Sequence, residues 1–175
     1  MSRLADQIRE AVAAFAELAM PHALIGGLAL AAHKVVRATR DVDFLVDADD
    51  ADRVHDMAIR LGYRCVHRSA DAANYLRGDE GLDFLYAHRP EARRLLLEAD
   101  HRDSALGRLR VVSAEGLVGF KVQRYVNDPR RVQDQEDIRN LLRVNADQLD
   151  MQEVRRYFAT FERESLLDDL LTDQR

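Results

Sequence analysis

A glycine pair followed by two closely spaced carboxylates is the feature of this sequence that most constrains its fold. Gly26 and Gly27 end a short apolar run, thirteen residues intervene, and then Asp41 and Asp43 flank a valine. Alternate side chains of a β-strand point to the same face, so these two carboxylates are predicted to share one face of a strand. Two carboxylates this close repel each other unless a cation lies between them. The pattern therefore predicts a cation-binding strand just beyond a glycine turn.

A third carboxylate has a similar setting. Asp83 lies in residues 81–86, an apolar segment typical of a strand, and a polar turn at residues 78–81 precedes it. Three carboxylates on adjacent strands form the hard oxygen site that magnesium needs when it carries a nucleotide's phosphates. Asp41, Asp43 and Asp83 are therefore the candidate metal ligands.

Hydrophobic periodicity predicts a mixture of helices and strands. Strands are predicted at residues 23–25, 41–46, 63–67, 73–77, 81–86 and 109–112. Helices are predicted at residues 4–19 with Ser2 as cap, at 28–32, at 47–62, from Pro90 and from Ser113 onward, with breaks at 127–129 and near 145. Strands concentrated in the first two thirds and helices in the last third indicate an α+β fold.

Composition limits the class of protein. At 175 residues, 47% of them hydrophobic, the chain is long enough for one domain with a substantial core. A net charge of −5 argues against a large nucleic-acid footprint, although a local basic patch remains open. We expect no membrane span and no signal peptide, and the single cysteine, Cys65, excludes an internal disulfide. These features together predict a cytoplasmic protein.

The spacing from Ile25-Gly26-Gly27 to the two aspartates, with Asp83 as the third acidic strand, resembles the nucleotidyltransferase superfamily. Residues 37–46 look most like its toxin-type branch, found in abortive-infection (AbiEii-like) systems. Members of that branch also tend to carry a helix lysine followed by an Asp-x-x-Asp segment, which Lys121 and residues 134–138 match. The resemblance covers residues 20–143. Gly27 stands where many members have serine, so backbone amides would have to replace any side-chain contact to phosphate.

The resemblance implies a mixed β-sheet flanked by helices. The α/β core would span residues 1–112, and a helical region, 113–175, would pack on it as part of a single compact domain. It further implies that Mg²⁺ or Mn²⁺ is held by the three aspartates, and that Asp83 helps to deprotonate the acceptor hydroxyl. Nucleotide-binding roles are implied for Gly26, Gly27, Lys121, Asp134 and Asp137, and either of the last two would position Lys121 or the acceptor.

Each of these residues also has a simpler explanation. The glycines could form only a tight turn, and the aspartates could face solvent on a half-exposed strand. The acidic run at residues 47–52 is better explained as a helix start stabilised by negative charge. Lys121 on an amphipathic helix is by default exposed, and Asp134 and Asp137 could equally be first-turn residues of a helix.

The arginines and histidines also have simpler explanations than ligand binding. Arg37 and Arg40 lie in the loop before the acidic strand, and each could approach a phosphate or balance the aspartates. Charge balance is preferred for Arg37. Arg40 remains a nucleotide-binding candidate. The six histidines show no metal-ligand spacing and are interpreted as structural or surface residues.

The predicted function is magnesium-dependent transfer of a nucleoside monophosphate from a nucleoside triphosphate to an acceptor hydroxyl. The branch resemblance implies a toxin that acts on RNA, tRNA first, with a separately encoded antitoxin as partner. The residues themselves leave the acceptor open between RNA, a protein hydroxyl and a small molecule. One alternative is an enzyme that modifies a small antibiotic. The other is a catalytically silent antitoxin or binding module with the same fold.

Overall fold

The structure is a computed structural model and describes residues 3–172, so the predicted cap Ser2 lies outside the described residues. It divides into two compact units. The chain up to Ala32 and Arg37–Val112 form unit 1, whereas His33–Val36 and the chain from Ser113 onward form unit 2.

Unit 1 contains all seven strands that the structure describes. The strands are β1 (His22–Ile25), β2 (Asp41–Asp47), β3 (Arg64–Arg68), β4 (Ala72–Arg77), β5 (Glu80–Ala87), β6 (Asp100–Ser104) and β7 (Gly107–Val111). The helices are α1 (Arg3–Glu17), α2 (Gly26–Ala32), α3 (Ala51–Arg60) and α4 (Pro90–Glu98), with a 3₁₀ turn at Ala48–Asp50.

These strands form one mixed sheet in the order β3-β4-β5-β2-β1-β7-β6. The β2–β5 and β1–β7 pairs are parallel, and the other neighbours are antiparallel. Together with the helices this confirms the predicted α+β fold with a mixed sheet flanked by helices. The parallel pairing of β2 with β5 brings together two strands that are far apart in sequence.

One face of the sheet carries the aromatic core of unit 1. Phe15 of α1 packs edge-on against Phe44 of β2 and Phe84 of β5, with ring centroids 5.1 and 6.2 Å away. Tyr75 of β4 extends the cluster, and its hydroxyl is 2.9 Å from His55 Nδ1 of α3. Because side chains alternate along each strand, the residues between these aromatics lie on the opposite face.

Two local details differ from the sequence prediction or refine it. Strand β6 was not predicted, because Asp100–Ser104 contains no apolar residue and forms as an edge strand only through its pairing with β7. The acidic run at residues 47–52 does begin a helical segment, as predicted. The Asp47 carboxylate accepts a hydrogen bond from the Asp49 backbone N–H at 2.9 Å and caps the 3₁₀ turn.

Unit 2 is helical in its part from Ser113 onward. Its helices are α5 (Ala114–Asn127), α6 (Val132–Val144), α7 (Met151–Thr160) and α8 (Glu164–Thr172). Ser113 and Asp150 cap α5 and α7 through side-chain oxygens that accept backbone N–H groups. Gly119 lets α5 approach α7, since a Cβ there would lie 2.7 Å from the Tyr157 ring. The predicted breaks near residues 127–129 and 145 are confirmed.

No helix within residues 3–172 is both long enough and apolar enough to cross a membrane.

Candidate active site

The acidic strands β2 and β5 lie side by side in parallel register. Asp43 is the direct partner of Asp83, and Asp41 is the direct partner of Gly81. Neighbouring strands are about 4.8 Å apart, so register partners present their side chains next to each other on one face. Asp41 is exposed, and Asp43 and Asp83 are half-buried. The face opposite the aromatic core, here called the acidic face, therefore brings the three predicted carboxylates together.

Two glycines make room for these carboxylates. Gly26 has a backbone φ of +68°, and a Cβ at this position would run into the carboxylate of Asp43. A Cβ on Gly81 would similarly run into the carboxylate of Asp41. Glycine is thus required at Gly26 both by the left-handed backbone and by the close approach of Asp43. The glycine turn and the acidic strand form one local structure.

The donor set suits a hard divalent cation, because every candidate ligand is a carboxylate oxygen. Within the described residues, no three His, Cys, Asp or Glu side chains are clustered closely enough to hold a metal ion by themselves. A magnesium ion that carries a nucleotide takes only one or two carboxylates and completes its shell with phosphate oxygens and water. The aspartates and the space kept by Gly26 and Gly81 fit that kind of site.

The loop before β2 carries the remaining predicted residues of unit 1. Arg40 is exposed and forms no ion pair with any residue in 3–172. Arg37 instead donates a hydrogen bond to the Ala38 carbonyl at 3.1 Å. Gly27 lies against Thr39, where a Cβ would come within 2.8 Å of the threonine side chain. Arg40 is thus the loop arginine with a side chain available to a ligand.

Unit 2 contains a second cluster, centred on Lys121 of α5. The default expectation of an exposed lysine is wrong, since Lys121 is only 4% exposed. Its ammonium donates to Asp137 Oδ2 at 2.6 Å and to Asp134 Oδ1 at 3.1 Å, both on α6. Gln133 occupies the other oxygen of Asp137 at 3.0 Å. Both predicted aspartates therefore hold Lys121 in place.

Asp134 also forms ion pairs with two arginines. Arg131 Nε lies 2.6 Å from Asp134 Oδ2, and Arg124 Nε lies 3.5 Å from the same oxygen. Burial acts to raise the pKa of Asp134, but the hydrogen bond from Arg131 and the charge of Lys121 outweigh it and hold the pKa below its ordinary value of 3.8. Asp134 is therefore ionised at neutral pH and anchors three cationic side chains.

The acidic face continues onto β4 and β3, whose residues carry no sequence motif that marks them as part of the site. Register partners on successive strands form a row across the sheet. Asn74 of β4 pairs with Asp83, and His67 of β3 pairs with Asn74. Both therefore lie in the same row as Asp83 and its partner Asp43. In the next row Arg64 pairs with Leu76, which pairs with Gly81 beside Asp41. A β-bulge at Val66 brings His67 into its row. No motif in the sequence marks this bulge.

Solved structures of other proteins share this architecture. The sequence matches no protein-family profile and no curated protein sequence. The solution structure of the antibiotic-resistance factor ANT(2'')-Ia covers 98% of this chain and 98% of its own, with a TM-score of 0.68 and 18% identity. The chain has the nucleotidyltransferase fold. The crystal structure of ANT(2'')-Ia with adenylyl-2''-tobramycin covers 92% of this chain and 98% of its own, at a TM-score of 0.69 and 19% identity.

A third structure has a similar fold. The lincomycin-bound lincosamide antibiotic adenylyltransferase LnuA covers 82% of this chain and 98% of its own, with a TM-score of 0.58 and 15% identity. At these identities the similarity establishes the fold, and chemistry has to be argued from the residues of the site. The predicted nucleotidyltransferase fold is confirmed. The AbiEii-like branch stays a prediction.

Proposed function

We propose that the protein is a nucleotidyltransferase that moves a nucleoside monophosphate from a nucleoside triphosphate to an acceptor hydroxyl. The observation that carries this proposal is the parallel pairing of Asp43 with Asp83, with Asp41 on the same face and Gly26 packed against Asp43. Carboxylates on directly opposed residues supply the oxygen ligands that a hard divalent cation prefers. The nucleotidyltransferase fold supports the same assignment.

Asp41, Asp43 and Asp83 would together hold one or two Mg²⁺ or Mn²⁺ ions, each bound by one or two of these carboxylates. When bound, the ion offsets the negative charge of the triphosphate and of the pyrophosphate that leaves. The carboxylates also orient the acceptor side of the site. Asp83 would accept the proton of the acceptor hydroxyl as the oxygen of that hydroxyl bonds to the α-phosphorus. The bond from that phosphorus to the bridging oxygen breaks, and pyrophosphate departs with its electron pair.

Nucleotide binding is assigned to the glycine turn and to cationic side chains. The backbone amides of Gly26 and Gly27 would contact phosphate oxygens, because neither residue has a side chain that could do so. Arg40 would contribute a positive charge from the loop. Lys121 would act as a point charge toward the triphosphate, with Asp134 and Asp137 as the groups that position it.

Two acceptor classes remain in the proposal. The similarity to ANT(2'')-Ia and LnuA over almost their full lengths supports a small molecule, since those structures contain adenylyl-2''-tobramycin and lincomycin. The resemblance of residues 37–46 to the toxin branch supports RNA, with tRNA as the acceptor and a separately encoded antitoxin. Growth arrest on expression would favour the toxin, whereas drug resistance would favour the small-molecule enzyme.

A transfer assay tests the reaction itself. The protein is incubated with Mg²⁺, each α-³²P-labelled nucleoside triphosphate in turn, and tRNA, protein extract, tobramycin or lincomycin as acceptor. We expect label to become covalently attached to one acceptor, with release of pyrophosphate. The control is the double variant Asp41→Ala, Asp43→Ala, which should transfer nothing while retaining the circular dichroism spectrum of the parent. No transfer with any nucleotide and acceptor would favour the silent binding module.

A further inference from the structure

The acidic face is a two-row array that spans four strands. One row runs His67, Asn74, Asp83, Asp43 across β3, β4, β5 and β2, and the other runs Arg64, Leu76, Gly81, Asp41. The half of the array on β5 and β2 carries the three carboxylates. The half on β4 and β3 carries an arginine, a histidine and an asparagine, whose chemistry the proposed reaction has not yet used.

We propose that Arg64, His67 and Asn74, here called the β3–β4 patch, bind the acceptor and select one whose reacting hydroxyl is flanked by negative charge. This inference rests on the proposed nucleotidyl transfer. It concerns only which side of the site receives the acceptor and what chemistry that side recognises.

The direction of the reaction places the acceptor on this side. Attack on the α-phosphorus is in line, so the entering oxygen and the departing pyrophosphate lie on opposite sides of the phosphorus. Gly26 lies against Asp43, and Ile25, immediately before it, is the β1 partner of that aspartate. The glycine turn thus flanks the acidic strands on the β1 side. If the phosphates lie there, the acceptor enters from the β4 side, across Asp83.

The bulge in β3 is what completes the patch. Cys65 pairs with Tyr75 on the aromatic face, and strict alternation would place His67 on that same face. The extra residue, Val66, shifts the register so that His67 pairs with Asn74 on the acidic face. Bulges commonly re-aim side chains beside active sites. As a result, Arg64 and His67 occupy the two adjacent rows of the array.

The patch is polar, accessible and carries positive charge. Arg64 and His67 are exposed, Asn74 is half-buried, and none of the three side chains is bonded to another described residue in 3–172. An arginine offers a planar fork of donors that suits phosphate or carboxylate, and an asparagine amide suits a hydroxyl. With the three aspartates occupied by the metal ion, the charge left on this side is that of Arg64, which fits a phosphate-bearing polyhydroxyl acceptor better than a polyamine.

Steady-state kinetics on single variants test the patch, with tRNA as the phosphate-bearing probe and tobramycin as the polyamine. We expect transfer to tRNA in preference to tobramycin. Each single substitution in the patch should raise the KM for tRNA: Arg64→Ala, His67→Ala and Asn74→Ala. The increase should be about tenfold for Arg64→Ala, because a tenfold loss of affinity corresponds to the loss of one charge-assisted hydrogen bond. The KM for the nucleotide should stay within about twofold of the parent, because the patch lies away from the glycine turn.

Matched controls come from the far edge of the same sheet, where His101 and Arg102 are exposed on β6. His101→Ala and Arg102→Ala should change neither KM. Arg64→Glu should weaken tRNA use more than Arg64→Ala does. Better use of tobramycin than of tRNA, or patch variants with an unaltered acceptor KM, would overturn this inference and leave the proposed function standing. A parent protein that transfers no label to any acceptor would overturn both.

Discussion

At the residue scale, Lys121 shows how a buried charge can connect two helices. Its ammonium lies on α5, both of its carboxylate partners lie on α6, and all three side chains are almost fully buried. Removing one partner of a buried ion pair leaves the other charge without compensation, which destabilises far more than the intact pair stabilises. Lys121 therefore has a structural role in unit 2.

Lys121→Met is expected to lower the free energy of unfolding by about 3–5 kcal/mol, because it leaves Asp134 and Asp137 buried without their shared cation. Urea denaturation followed by circular dichroism measures the loss. The chain's other lysine, the exposed Lys34, provides the control, and Lys34→Met should stay within about 0.5 kcal/mol of the parent. Equal stabilities for the two variants would contradict a structural role for Lys121.

The lowered pKa of Asp134 predicts a pH dependence of stability. A carboxyl whose pKa is lower in the folded state stabilises the fold above its unfolded pKa, and that contribution is lost as pH falls through the folded value. We therefore expect the contribution of Asp134 to be complete above about pH 5 and to fall below pH 3.8.

Urea midpoints measured from pH 7 to pH 2.5 test this dependence. Asp134→Asn should be less stable than the parent at pH 7, and the difference should shrink in acid. A constant difference across the whole range would show that Asp134 does not titrate with unfolding.

At the element scale, the contact between α5 and α7 depends on the absence of a side chain at Gly119. Gly119→Ala is expected to destabilise the protein by about 1–3 kcal/mol, since the added methyl group would overlap the Tyr157 ring. Adding Tyr157→Leu should recover part of that loss, because the smaller side chain leaves room. Thermal unfolding of the two single variants and the double variant measures this coupling. Strictly additive effects would place the strain elsewhere.

The sequence predicted elements well where local pattern decides the structure. The alternation in β2 and β5 was visible in Asp41–Asp47 and around Asp83, and the helix breaks coincided with proline and asparagine. Strand β6 was missed because its five residues are polar and depend on β7 for pairing. The burial of Lys121 was missed because its counter-charges lie 13 and 16 residues away on another helix.

At the scale of the whole molecule, ligand binding should be visible as a change in overall stability. A ligand that binds only the folded state at 100 times its dissociation constant stabilises the protein by about 2.7 kcal/mol. We expect Mg²⁺ with a nucleoside triphosphate to raise the melting temperature of the parent. Asp43→Asn should lose most of that rise and, without ligand, melt at or slightly above the parent temperature, since it removes one of three like charges.

Asp103→Asn is the matched control, because Asp103 is exposed on the edge strand β6 of the same sheet. It should respond to Mg²⁺ and nucleotide as the parent does. If Asp43→Asn responded equally well, the acidic pair would not be the metal site.

The fold as a whole could be predicted from a few residues, because the spacing of the glycine pair in α2 and the aspartates in β2 and β5 resembles that of a known superfamily. The residues at the β3–β4 edge of the site could not be predicted from the sequence. Which residues of β3 share a face with Asp83 depends on one unpaired residue, and its position is set by pairing with β4 rather than by any local preference. Arg64, His67 and Asn74 therefore enter the site only once the register is known.

The bulge at Val66 has a consequence for how this chain tolerates changes in length. Deleting one residue from a regular strand turns every later side chain to the wrong face. Deleting Val66, which is 56% exposed, would instead let His67 move directly into the regular position opposite Asn74. Cys65 and Arg68 would keep their partners on either side. The chain can thus shorten by one residue at this point of β3 and still present the same side chains to each face.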